Sequence, residues 1–390
     1  MIVLTTLLFY GFLAFLVKGR YQKAYLLVLV IGISALYFWY FAPEGSDLYR
    51  HYNMLQYLKG MSLSQVFSKT LVNSNDVLIS MYAEGARVYL FLAYIISFLP
   101  TYNFLPFISG LIVYGLGVLR IYKEGERIKA DHFTISITTL FFLACVDFRS
   151  ISGIRNITAY ALFAYIAYED LVNKRNKVFC FLLYAIVAGI HNSVIILIVL
   201  RMLILIKKLL HPIAVSAIIL LFPMMANGVF AILGHFTNIG FISLFVRKAS
   251  IYFAEGSPYI RLFAIVRGLI MVFYLLIYLY CNKSVDFKKR YGEFGLLFVY
   301  IFIYTFAFRF QYDIFMRNEL VLLFMLLPML VYFYHNNIKV KGLTITFTKM
   351  NNRTISVGSI LFCISILIIV LSLFFYQRYF YGSINECFVF

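Results

Sequence analysis

Apolar and polar positions along this chain fall into long blocks. Apolar runs close to the roughly 20 residues that a membrane span needs occupy 2–17, 24–42, 82–99, 104–121, 133–148, 155–172, 178–206, 213–234, 262–281, 292–308, 318–334 and 355–376. No stretch between them is long enough for a soluble domain, and no period of about 20 to 50 residues repeats. The pattern predicts one all-α, polytopic transmembrane domain over residues 1–390, with about 11–13 spanning helices. Two blocks depart from a plain span. The run 178–206 is about 29 residues long, too long for one crossing and short for two. His191, Asn192 and Ser193 sit at its middle, so it reads as two short helices turning at those polar residues. The long polar stretch 43–81 carries Leu48, His51, Tyr52, Leu55 and Leu58 at helical spacing. That spacing predicts an amphipathic helix lying on a membrane surface and ending at Lys59-Gly60.

Composition agrees with the pattern. Apolar residues make up 63% of the chain and charged residues 13%, where a soluble domain carries about 25% charged. The five cysteines have no spacing that suits a metal site or a disulfide framework. The first apolar run has no basic region before it and reads as a first span, not a signal peptide.

Charge orients the runs. Lys and Arg total 34 against 16 Asp and Glu, a net of +18. In a soluble protein that balance suggests nucleic acid; in a membrane protein its first meaning is topology, because basic residues collect in cytoplasmic loops. The clusters at Lys18–Lys23, Lys174–Lys177, Lys207–Lys208, Lys283–Arg290 and Lys339–Arg353 therefore mark the inside. The segments 147–155, 235–261 and 309–317 and the turn at His191 then fall outside. The scheme fails once. Residues 43–81 belong outside and Lys123–Lys129 inside, yet two apolar runs separate them, so either one run is re-entrant or 43–81 hides a crossing.

Against this bias a set of arginines faces outward: Arg50, Arg149, Arg155, Arg247, Arg261, Arg309 and Arg317. Any one of them is an ordinary interfacial anchor. As a set they suggest a phosphate or pyrophosphate ligand carried on a lipid, since the guanidinium fork matches phosphate oxygens. Arg155 also opens a helix that Ser152 can cap, where free N–H groups favour an anion. Asp47 and His191 are candidate general bases for a hydroxyl; the bland readings are an Asp47–Arg50 pair three residues apart and a histidine satisfied by its neighbours. Tyr49 and Tyr52 suit either a sugar contact or the interfacial aromatic belt. No P-loop, dinucleotide fingerprint, zinc-protease or nucleophile-elbow motif is present. No cluster of acids marks a metal site, which favours chemistry with no metal and no cofactor.

Three short motifs resemble the EpsG/Wzy-type polysaccharide polymerases of bacterial membranes: "SDLYRHY" at 46–52, "IRNITA" at 154–159 and "HNS" at 191–193. The late stretch "RFQYDIFMR" at 309–317 is consistent with them. Asn156 stands where that family has glutamine, and Asn192 where it has an aromatic residue. The resemblance implies a GT-C-like fold in the bacterial cytoplasmic membrane. It implies an enzyme that moves a growing glycan from one polyprenyl-pyrophosphate carrier to the non-reducing end of a repeat unit on another. Arg149, Arg155, Arg309 and Arg317 would hold the pyrophosphate. Asp47 or His191 would be the base, and Asn156, Tyr49 and Tyr52 would contact substrate. Partners would be the lipid-linked oligosaccharide, membrane lipid, a chain-length regulator and a flippase. A lipid-linked oligosaccharide flippase, a membrane glycan ligase and a non-enzymatic assembly subunit are the competing readings. The flippase reading expects two related halves and basic residues at mid-membrane, and neither is evident in the sequence.

Overall fold

The computed structural model describes residues 13–17, 19, 21–40, 42, 44, 46–68, 86–146, 154–207, 210–222, 258–309, 311–341, 344–347 and 357–384. The elements are α1 (Tyr21–Ala35), which continues as a 3-10 turn over Leu36–Trp39, then α2 (Asp47–Lys59), the single-turn α3 (Leu63–Val66) and α4 (Arg87–Ser97). They continue as α5 (Phe104–Ile128), α6 (His132–Cys145), α7 (Ile154–Leu171), α8 (Lys177–Ile190), α9 (Val194–Leu205) and α10 (Pro212–Phe222). Then follow α11 (Pro258–Cys281), α12 (Val285–Ala307), α13 (Tyr312–Asn337) and α14 (Val357–Ile384). The architecture departs from all-α in one place. After α13 the basic segment pairs into an antiparallel hairpin of β1 (Ile338–Lys341) and β2 (Thr344–Phe347), with Ile338 opposite Phe347.

Local chemistry sets the helix ends. Side chains of Ser46, Asp131, Asn176 and Ser284 accept first-turn N–H groups at the starts of α2, α6, α8 and α12, the ordinary N-cap role of these residues. Lys129 ends α5 in the left-handed region at φ 56°. The predicted surface helix is α2: Leu48, His51, Met54, Leu55 and Leu58 are buried, and it stops at Gly60. Tyr52, expected on that inner face, is half-buried. The run 178–206 does split, into α8 and α9, with His191 as the cap residue between them.

Three helical stretches are long and apolar enough to cross a membrane: Tyr21–Trp39, Phe104–Ile128 and Ile314–Asn337. Most other apolar runs form shorter helices, including α4, α6, α8, α9 and α10. The expected 11–13 full-length spans therefore reduce to three among the described residues. Faces on α8 (Val178, Phe179, Leu182, Ile186) and α11 (Leu269, Val272, Leu276, Leu279) leave large apolar side chains exposed. Water does not tolerate bands of this kind, and lipid does, so the chain is a membrane protein. The core centres on α13, which packs on α5, α6, α7, α11, α12 and α14. Its residues Leu322, Leu323, Met325, Leu326, Leu327, Met329, Leu330 and Val331 are wholly buried.

The helices alternate between two ends of the bundle. At the first end, Phe38 after α1 meets Phe104 of α5, and Tyr160 of α7 meets His191 after α8. At the second end, Glu124 of α5 meets Tyr168 of α7 and Arg290 of α12. These are called the His191 end and the Glu124 end below.

Candidate functional site

The site forms at the His191 end from α2, α4, α7 and the α8–α9 turn. His51, on the inner face of α2 and only 3% exposed, shares a 2.8 Å hydrogen bond between its Nδ1 and the Tyr89 hydroxyl of α4. The Arg155 guanidinium, in the first turn of α7, lies 5.3 Å from the centre of the Tyr89 ring. Burial, then the positive charges of Arg155 and Arg50, push His51 down from its ordinary 6.5 to about 3. The ring is therefore neutral at physiological pH. Asn156 follows Arg155, and its side-chain oxygen is buried with no hydrogen-bond partner among the described residues. Ser109 of α5 and Thr158 of α7 share a 2.6 Å bond that fixes the start of α7.

Beside this lies a second group. The N–H of Ser193 donates to Nδ1 of His191 at 3.2 Å, so Nδ1 is an acceptor and the ring proton sits on Nε2. The Ser193 hydroxyl lies 2.5 Å from the same nitrogen and donates to it. Its one hydrogen is then used, so the Tyr160 hydroxyl, 2.6 Å away, donates to Ser193 Oγ. The result is a directed chain from Tyr160 through Ser193 to His191. The two groups adjoin: Tyr160 lies on α7 beyond Arg155, and Val88, next to Tyr89, packs on Gly189 in the last turn of α8.

The remaining sequence candidates fare differently. Asp47 is 62% exposed and pairs with Arg50 at 3.6 Å, the pairing its spacing suggested. Tyr49 is half-buried. Tyr52 donates its hydroxyl to Asn103 Oδ1 at 2.5 Å, and Asn103 donates to the Phe38 carbonyl at 2.7 Å. That link ties α2 to the ends of α1 and α5, and burial raises the phenol's pKa. Arg309 is exposed, close to the carbonyl and ring of Phe306. Arg317 was expected in a loop; α13 begins at Tyr312, so it lies half-buried on that helix. Arg149, Arg247 and Ser152 lie outside the described residues, as does the side chain of Arg261.

Sequence reasoning missed Tyr89, Tyr160 and the buried charges deeper in the bundle. Tyr89 and Tyr160 lie in apolar runs and had no signal beyond their type. The reading that basic residues gather at one side, with none evident at mid-membrane, is corrected by Arg267, well inside α11. It donates to Glu319 of α13 at 2.7 Å, while Tyr274 donates to the same carboxylate at 3.2 Å. At the Glu124 end, Glu124 accepts from Tyr168, Arg290 and Tyr291. Glu169 accepts from Arg120 at 3.1 Å and Arg175 at 2.8 Å, and Asp170 from Arg201 at 2.6 Å. Glu293 bridges Lys174 and Lys207, each at 2.6 Å. These pairs knit α5, α7, α9 and α12 together and consume their charges. At the His191 end Arg155 lies in the first described turn of α7, a setting that suits an anionic ligand.

No family model, no curated protein and no solved structure matches the chain.

Proposed function

We propose that the chain is a multi-pass polymerase of the bacterial cytoplasmic membrane, acting on polyprenyl-pyrophosphate-linked oligosaccharides at the outer face. The observation that carries the reading is the pairing, at one end of the bundle, of Arg155 in the first turn of α7 with a hydrogen-bonded Tyr160–Ser193–His191 chain. The first supplies positive charge at the start of a helix, where the dipole also favours an anion. The second can accept a proton.

In this reading Arg155 holds the pyrophosphate, with Arg149, Arg309 and Arg317 as its expected companions. The bond from the anomeric carbon to the pyrophosphate oxygen breaks, and the electron pair leaves with the pyrophosphate. Arg155 stabilises that growing charge. The acceptor hydroxyl attacks the anomeric carbon and gives its proton to the Tyr160 oxygen. Tyr160 passes its own proton to Ser193, and Ser193 passes its own to Nδ1 of His191. Asp47, open to solvent and paired with Arg50, is the less favoured base. The neutral amide of Asn156 suits a sugar hydroxyl, as do Tyr49 and Tyr52.

The test is polymer formation by the purified protein from polyprenyl-pyrophosphate-linked repeat units in detergent. A ladder of repeat lengths is expected, abolished by Arg155→Ala with protein yield unchanged. A ladder that survives Arg155→Ala removes the role given to that residue. No ladder from the wild type, with carrier movement across a reconstituted bilayer, replaces the polymerase by a flippase.

A further inference from the structure

The sequence left one crossing unaccounted for between residues 43–81 and Lys123–Lys129, and α4 bears on it. We propose that α4 does not cross the bilayer but lies within the outer leaflet beneath α2, with Phe91, Leu92, Ile95 and Phe98 against lipid acyl chains. This inference needs the orientation given by the basic clusters and does not rest on the polymerase reading.

Length is the first consideration and permits the placement without deciding it. α4 has 11 residues, about 16 Å at roughly 1.5 Å per residue, against a hydrocarbon core of roughly 30 Å, but α9, with 12 residues, joins the two ends of the bundle. Placement is the second. The start of α4 meets the last turn of α8, where a Cβ on Gly189 would lie 2.5 Å from a methyl carbon of Val88. Its other end runs through a short turn into the first turn of α5 at Phe104. Both places belong to the His191 end. α4 also runs alongside α2 in the same sense, joined by Tyr89 to His51 and by the Tyr94 hydroxyl to the Met61 carbonyl at 3.2 Å. A helix with both ends at one end of the bundle contributes no crossing, and the alternation of sides is then restored through α5.

The faces supply the third argument. Tyr89, Leu90, Ala93 and Ile96 of α4 are buried, while Phe91, Leu92, Ile95 and Phe98 are 40–54% exposed. Above it, α2 turns Arg50, Asn53, Gln56 and Lys59 outward. One layer is thus polar and the next apolar, the order met on passing from headgroups into hydrocarbon. The apolar face of α4 adjoins the exposed apolar face of α8, because the two helices touch at Val88 and Gly189. Arg87, exposed at the start of α4, suits headgroup phosphate. Acyl chains, and no second copy or soluble partner, fit a surface continuous with the lipid-facing band. Arg155 then sits on the protein side of a helix whose other side is lipid, so a ligand with a charged head and an apolar tail reaches it from within the leaflet.

The chain has one tryptophan, Trp39, which allows a depth measurement. In a Trp39→Phe background, Ile95→Trp and Asn53→Trp are reconstituted separately into phosphatidylcholine vesicles brominated in the upper acyl chain, with iodide added to the buffer. Tryptophan at 95 is expected to be quenched by the brominated lipid and spared by iodide, and tryptophan at 53 the reverse. Phe98→Trp, a milder exchange on the same face, repeats the test where Ile95→Trp lowers yield. Quenching of 95 and 98 by iodide, or by neither agent, overturns the proposal. Thr101, exposed in the turn between α4 and α5, gives a second readout. Thr101→Cys is expected to react with a membrane-impermeant maleimide in intact cells, read against the wild type. Reaction only after permeabilisation means that α4 crosses and the proposal is wrong.

Discussion

Arg155 and His51 share one small volume, and the arginine's charge helps decide the state of the histidine. His51 is held neutral, pushed down to about 3 by burial and by Arg155 and Arg50, whereas in an unfolded chain it titrates near 6.5. The unfolded chain binds this proton first as pH falls. The contribution to stability is therefore complete above about pH 6.5 and is lost progressively toward pH 3. His51→Gln is expected to remove about 2–3 kcal/mol of the stability lost between pH 7.5 and 4.5, read as a flatter pH dependence of thermal unfolding in detergent. The sequence spacing put His51 on the inner face of α2 correctly. It gave no hint of Tyr89, because a tyrosine within an apolar run carries no local signal and the two positions meet only through tertiary packing. The same holds for Arg201 and Asp170. Both side chains are almost wholly buried and bonded at 2.6 Å. Arg201→Met leaves a carboxylate without its counter-charge and is expected to cost about 3–5 kcal/mol; replacing both partners with apolar residues recovers most of that loss. Melting temperatures of the two single variants and the double variant check this.

At the scale of elements, the contact of α4 with α8 rests on the absence of a side chain. Gly189 permits Val88 to approach so closely that a methyl group would overlap it. Gly189→Ala is expected to cost about 1–3 kcal/mol, and Val88→Ala to restore part of it; thermal unfolding of both variants and of the pair measures this. The displacement also moves Tyr89, so, if the proposed polymerase reading holds, polymer yield is expected to fall in Gly189→Ala and recover with the second change. Much at this scale was legible. The polar break at His191 within a run of awkward length foretold α8 and α9, and the apolar spacing after Ser46 foretold α2. Helix length was less legible. An apolar run gives the extent of burial, not where the backbone leaves the helix, so 82–99 read as a run of near-span length, crossing or re-entrant, although its helix starts only at Arg87. The hairpin after α13 was read only as a basic cluster, since two four-residue strands are too short to impose an alternating pattern.

For the whole molecule, the alternation of basic clusters anticipated which helix ends lie together. It missed what holds them, because the partners are far apart in sequence: Glu124 and Arg290 are separated by 166 residues. Glu124 is the acceptor for groups from both α7 and α12. Glu124→Gln is expected to destabilise the bundle by about 3 kcal/mol or more while leaving the His191 end intact. The checks are an earlier unfolding transition and a retained effect of His51→Gln on its pH dependence. The long separation also bears on how the protein is made. At about 5–20 residues per second, Glu124 leaves the ribosome roughly 8–33 s before Arg290. For that interval Glu124 lacks the partner it has in the folded bundle and has only its helix neighbours Arg120 and Arg127, and Arg120 lacks Glu169 until that residue follows. The early helices can pack on one another, but the Glu124 end is completed late, and nascent chains halted before Arg290 are expected to be more sensitive to membrane proteases than the full chain.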